Sequence, residues 1–157
     1  MRIRISLALA IVVSGMPLTG YAQTRRPTAQ EVAAIRNCAT QYQDDVDEGE
    51  RQCLFNLVAT PCTKTREGSS NLGTADCYRV EWVIWVNENF KNLMGALDNQ
   101  RIAKLRAMQQ AWITYRDTTC NFYMEKIQGS MAIPMGAACA ARETARRALL
   151  LRFFDQI

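Results

Sequence analysis

The chain has 157 residues, of which 48% are hydrophobic and 22% are charged, and its formal net charge is +4. This length is typical of one compact domain, and so small a charge argues against a nucleic-acid-binding protein, which usually presents a clustered basic face. The chain contains no histidine, which excludes Ser-His and Cys-His catalytic pairs and histidine metal ligands.

The first 22 residues have the features of a secretory signal peptide. A short basic leader precedes an apolar run over residues 5–13, and Gly20-Tyr21-Ala22 supplies the small residues of a cleavage site. The apolar run is well short of the roughly 20 residues that span a membrane, so an anchor is disfavoured. We predict export to the periplasm or beyond and no membrane anchor after cleavage. Residues 23–157 are then one domain with 17 basic and 15 acidic residues.

The exported part contains all six cysteines, and an even number in an oxidising compartment predicts three disulfides. A metal site is disfavoured because no C-x-x-C pair is present. We favour Cys120–Cys139, which would close the hairpin between two predicted helices. The simplest completion is Cys38–Cys53 and Cys62–Cys77, although crossed pairings among Cys62, Cys77, Cys120 and Cys139 remain open.

The first predicted helix begins after Thr28, because Glu31 three residues later completes a capping box. Apolar residues at helical spacing extend it to about Gln43. A second helix carries Cys53, and Pro61 is predicted to end it. A loop follows over residues 63–74.

Between the first two helices lies an acidic segment with five acids in seven residues. The favoured interpretation is a solvated turn whose acids stabilise the N-terminus of the next helix. The alternative is a patch that binds a cationic partner. The candidate partner-binding residues are Asp44, Asp45, Asp47, Glu48 and Glu50.

Two long helices are predicted over about 74–97 and 101–126, and the short connection makes them antiparallel neighbours. A last helix follows from about Ala137. No strand-like alternation flanked by hairpin turns is present. The predicted fold is all-α, a small disulfide-stapled bundle built on the long pair with shorter helices around it.

One face of the second long helix carries Gln109, Trp112, Arg116 and Cys120 at steps of three and four residues. A guanidinium buried there would be costly without a partner, and Glu81 is the first candidate, with Glu143 second. The alternative is that Arg116 reaches solvent with its stem on Trp112. Gln109 and Asn87 are predicted to form hydrogen bonds across the seam between the two long helices.

Catalysis would have to rest on a carboxylate pair, as in glycosidases. The acids that could supply one are Glu81, Glu88, Asp117, Glu125 and Glu143. Acids in this number are ordinary on a helical domain, so we predict a protein that is not an enzyme, with no cofactor and no metal.

The run Gln109-x-x-Trp112-x-x-Tyr115-Arg116-Asp117-x-x-Cys120 resembles the hallmark of the LprI-like lysozyme inhibitor domain family. The likeness covers residues 35–152, and Cys38, Cys53 and Cys62 resemble its extended six-cysteine version. Val83 departs from the pattern, which usually has an aspartate there. Further matching residues are Cys77, Glu81, Asn87, Gly129, Ser130, Cys139, Thr144 and Arg147.

The resemblance implies an exported bacterial helical domain without catalytic residues that binds lysozyme and occludes its substrate cleft. Because animal lysozymes are strongly basic, the acidic segment would speed association. The alternative function is a structural or interaction module of the cell envelope that binds peptidoglycan or another envelope protein.

Overall fold

A computed structural model describes residues 25–86, 93, 95 and 97–157. Within these ranges the chain forms six helices and no strand, which confirms the all-α prediction. The predicted signal peptide and Asn87 lie outside the described residues. The helices are α1 Ala29–Gln41, α2 Val46–Cys53, α3 Ala59–Thr63, α4 Asn71–Val86, α5 Asn99–Ile127 and α6 Ala132–Phe154.

The start of α1 confirms the predicted capping box. The Thr28 hydroxyl accepts from the Glu31 backbone N–H at 3.2 Å, and the Glu31 carboxylate accepts from the Thr28 backbone N–H at 2.8 Å. The carboxylate also pairs with Arg25 at 2.6 Å, and these bonds lower the pKa of Glu31 to about 2. Two of the helix's unsatisfied N–H groups are thereby paired.

The second predicted helix is wrong in its extent, because the chain divides it into α2 and α3. Helix α2 ends at Cys53, and Phe55 then adopts a left-handed backbone conformation with φ of 65°. Pro61 does not end a helix but is the third residue of α3. A proline is tolerated there because the first turn needs no N–H donor.

Helix α6 is the central element of the bundle. It packs extensively against α4 and against α5. The predicted long antiparallel pair therefore has α6 as the main packing partner of each member, and α4 and α5 face each other across two grooves. Helix α6 also begins five residues earlier than predicted, because Pro134 lies in its first turn.

Small residues bring α6 close to its neighbours. Four alanines at helical spacing are almost fully buried, and larger side chains such as Ile35, Trp85 and Leu149 fill the core beside them. A second apolar cluster joins Leu93, Leu105 and Leu151. The buried alanines are Ala138, Ala141, Ala145 and Ala148.

Three disulfides fasten the helices in pairs. Cys38–Cys53 joins α1 to α2, Cys62–Cys77 joins α3 to α4, and Cys120–Cys139 joins α5 to α6. These are the pairs that the sequence favoured. Loops of 15 to 19 residues closed in this way each contribute about 2–4 kcal/mol by restricting the unfolded chain.

Among the described residues, no helix is both long enough and apolar enough to cross a membrane.

Candidate functional site

Five residues singled out in the sequence line one pocket. Helix α5 contributes Gln109, Trp112 and Arg116, and helix α6 contributes Thr144 and Arg147. Their helical spacing places them on facing sides of the two helices. The pocket has a volume of about 140 Å³, and its remaining walls are Trp85, Val86, Ile113, Ala148 and Leu151.

Arg147 is a buried cation with incomplete pairing, since the residue is 7% exposed. Its Nε donates to Oε1 of Gln109 at 2.9 Å. Its buried Nη2 has no hydrogen-bond partner among the described residues. Burial lowers the pKa of Arg147, because desolvation disfavours the charged form.

Trp112 has two guanidinium groups close to its indole. The Cζ atom of Arg116 lies 4.9 Å from the ring centroid, and that of Arg147 lies 6.0 Å from it. An aromatic face attracts a cation at this distance, with each contact contributing about 0.5–2 kcal/mol. The indole thus partly compensates the charge of Arg147, for which the described residues provide no anion.

The prediction that Glu81 is the partner of Arg116 is wrong. Arg116 pairs with its sequence neighbour Asp117, with Nη2 at 2.6 Å and Nε at 2.8 Å from the same carboxylate oxygen. The Arg116 side chain is 16% exposed and that of Asp117 is 54% exposed. The ion pair therefore lies at the rim of the pocket, where Asp117 neutralises Arg116, whereas Arg147 has no anion among the described residues.

Glu81 lies in the core and accepts three hydrogen bonds. Its carboxylate accepts from the backbone N–H groups of Phe55 at 2.8 Å and Ala59 at 2.9 Å, and from Nε1 of Trp85 at 3.3 Å. Burial nevertheless raises the pKa of Glu81. Glu81 therefore holds the turn between α2 and α3 and orients the Trp85 indole that forms one wall of the pocket.

Thr144 has a structural role within α6. It is buried in the pocket wall, and its hydroxyl donates to the carbonyl oxygen of Ala140 at 2.7 Å. A hydroxyl that bonds back into its own helix satisfies itself without a ligand.

The acidic segment largely serves the local structure. The Asp45 side chain caps α2 by accepting from the Glu48 backbone N–H at 2.9 Å. Glu48 pairs with Arg51, and Glu50 pairs with Arg146 on α6 at 2.7 Å. This geometry agrees with the favoured interpretation of acids at a helix N-terminus. Asp44 and Asp47 are exposed.

The sequence singled out five of the ten described residues that line the pocket, as motif residues and not as a pocket. It also directed the search for a charge partner to Arg116 and not to Arg147. A usable signal was present, because Thr144, Arg147 and Leu151 follow one another at steps of three and four on the buried face of α6. An arginine on such a stripe is the anomaly that demands an anion or an acceptor.

The pocket residues can bind an anion but offer no acid–base pair. No carboxylate or thiol is among the ten described side chains that line it. Within the described ranges, no cluster of acids or cysteines could hold a metal ion. What the arrangement provides is positive charge, amide donors and apolar walls.

A family model described as lysozyme inhibitor LprI matches residues 62–151. This range covers more than half of the 157 residues. The chain belongs to the LprI lysozyme inhibitor family. The matched range contains every residue of the Arg147 pocket and leaves out α1 and α2. No curated protein sequence and no solved structure matches the chain.

Proposed function

We propose that this LprI family member is an exported protein that binds lysozyme and blocks access to its substrate cleft without catalysing a reaction. The observation that carries the proposal is the family match over residues 62–151. The family description is that of an inhibitor, so the activity is expected to come from contact and not from turnover.

The scaffold suits an inhibitor because it presents a surface at little entropic cost. Each disulfide joins two consecutive helices, and a binding surface that is already ordered loses less conformational freedom on association. This gain comes from the helix pairs that carry the surface and does not depend on which lysozyme is bound.

The exposed face of α5 is the best candidate for the contact surface. Met108, Tyr115 and Phe122 are spaced seven residues apart and therefore lie along one side of the helix. Tyr115 is 54% exposed and Phe122 is 59% exposed. Gln109 and Cys120, which contact α6, lie on a neighbouring side of the helix. A convex helix edge can enter an enzyme cleft, and exposed aromatic residues are the usual anchors of such interfaces.

The acidic segment contributes less than its composition indicates. Glu48 and Glu50 are paired with arginines, so the exposed charge is that of Asp44 and Asp47 beside the helix cap Asp45. We expect the association rate with a basic lysozyme to fall modestly when Asp44 and Asp47 are changed to asparagine, because screened surface charges act mainly on the encounter rate.

The test is inhibition of cell-wall clearing by an animal lysozyme in the presence of the purified, oxidised protein. We expect dose-dependent inhibition, at least tenfold weaker for the double variant Tyr115→Ala/Phe122→Ala. The matched control is Leu72→Ala, which removes an exposed apolar side chain from α4. Undiminished clearing at a large molar excess would contradict the proposal, and retention on wall material with lysozyme unaffected would point to the envelope module instead.

A further inference from the structure

We propose that the Arg147 pocket is a binding site for a peptide carboxylate carried on a small apolar residue. The ligand would be the end or an acidic side chain of a short peptide segment, held by its carboxylate group. This inference goes beyond lysozyme inhibition and does not require lysozyme to be the partner.

The described residues of the pocket leave the charge of Arg147 without an anion. Arg116 has its anion in Asp117, whereas Arg147 bonds a neutral amide and keeps a buried Nη2 without an acceptor among the described residues. A buried donor without an acceptor is costly, and a charged one more so. An incoming anion would remove this cost.

The pocket wall carries hydrogen-bond donors in the number that a carboxylate needs. Because Oε1 of Gln109 accepts from Arg147, the amide group of the same side chain is left on the pocket wall as a donor. Together with the guanidinium group of Arg147, which also lines the pocket, it provides donors for the two oxygens of one anion. A carboxylate has two acceptor oxygens and pairs well with a guanidinium edge, whereas a phosphate would bring more charge than these donors satisfy.

The volume and the apolar walls of the pocket fit a small organic anion. The pocket has a volume of about 140 Å³, and a cavity of about 150 Å³ accommodates benzene. Trp85, Ile113 and Leu151 supply apolar walls around the charged end. A carboxylate with an alanine-sized stem matches these dimensions, and a free inorganic anion would leave the apolar walls uncovered.

The test follows tryptophan fluorescence, since Trp85 and Trp112 line the pocket. The probes are N-acetyl-Ala-Ala with a free carboxyl end, the same dipeptide as its C-terminal amide, and N-acetyl-Ala-Asp as its C-terminal amide. We expect saturable binding by at least one probe that carries a carboxylate and at least tenfold weaker binding of the neutral amide. Whichever acidic probe binds more tightly identifies the chain end or the side chain as the source.

The variant Arg147→Met should weaken carboxylate binding at least tenfold, whereas Arg106→Met removes an equal charge from the exposed side of α5 and should leave it unchanged. The comparison of acid and amide on the unmodified protein keeps the test independent of variant folding. Equal binding of the acid and the amide would overturn the proposal. So would the failure of both acidic probes to bind, or full binding by a folded Arg147→Met variant.

Discussion

Arg147 on α6 donates from Nε to Oε1 of Gln109 on α5 at 2.9 Å, and this bond crosses the seam between the two helices. It joins a buried cation to a neutral acceptor where the described surroundings hold no anion. The stability of the seam and its capacity to bind a carboxylate therefore depend on the same two side chains.

We expect Gln109→Leu to destabilise the fold by about 1–3 kcal/mol, because it removes the acceptor of a buried charged donor. The double variant Gln109→Leu/Arg147→Met should recover most of this loss, since replacing a buried polar pair by apolar groups of similar size is often close to neutral. Urea unfolding of the single and double variants measures the difference. Gln110→Leu is the control, because Gln110 is exposed. A double variant as unstable as Gln109→Leu would show that shape, and not pairing, decides the cost.

Glu81 gives a prediction about pH. Its folded-state pKa is raised above the ordinary value by burial, so its contribution to stability is complete below about pH 4.5 and is lost as the pH rises through the raised pKa. Glu81→Gln leaves one of three N–H donors without an oxygen acceptor and should cost about 1–3 kcal/mol in acid. The difference in the free energy of unfolding between Glu81→Gln and the unmodified protein should narrow as the pH rises.

Chemical unfolding at several pH values tests this difference. The control is Glu125→Gln, which lies on the exposed side of α5. A gap that widens with pH would mean that the three donors outweigh the burial of the carboxylate.

The stability that Glu31 contributes depends on pH in the opposite direction to that of Glu81. Its pKa is lowered to about 2 by the bonds from Arg25 and Thr28, so its stabilising contribution is present above about pH 4.5 and is lost as the pH falls toward 2. The pair with Arg25 is partly exposed and should weaken with added salt. Thr28→Ala should cost about 1 kcal/mol by removing the cap. An NMR titration of the Glu31 carboxyl follows the midpoint directly, and a midpoint near 4.5 would contradict the paired cap.

The elements with local signals were predictable. The capping box of α1 needs two residues three apart, and the buried side of α5 follows from steps of three and four that the structure confirms from Leu105 to Cys120. These features depend on neighbours within one helix, which the sequence displays directly.

The central position of α6 was not predictable in the same way. Its burial is carried by alanines such as Ala141 and Ala145, and hydrophobic periodicity is dominated by large side chains. The break between α2 and α3 was also missed, because Phe55 adopts positive φ and its N–H is satisfied by Glu81, 26 residues along the chain. No local pattern announces an acceptor at that distance.

The Cys120–Cys139 disulfide should matter most to α5. Apart from Cys120, Leu105 is the one buried residue of the described α5 helix, so the contact of α5 with α6 rests mainly on half-buried side chains. We expect Cys120→Ala/Cys139→Ala to cost about 2–4 kcal/mol and to lose hydrogen-exchange protection in α5 before other helices. Cys38→Ala/Cys53→Ala should have a comparable cost but leave α5 protection unchanged. Uniform loss of protection in both variants would contradict this division.

Gly73 supports a close approach between the start of α4 and the preceding loop. A Cβ atom built at Gly73 would lie 1.9 Å from the carbonyl oxygen of Glu67, whereas one at Gly95 meets no described atom within 4 Å. Because the obstacle at Gly73 is backbone, the loop would have to move. Gly73→Ala should destabilise the fold by a few kcal/mol. Gly95 has a helical backbone conformation, so Gly95→Ala should stabilise the fold by about 0.5–1 kcal/mol, since alanine favours the helix. Thermal unfolding should show a lower midpoint for Gly73→Ala and a higher midpoint for Gly95→Ala. Equal shifts of the midpoint would show that the loop can move without cost.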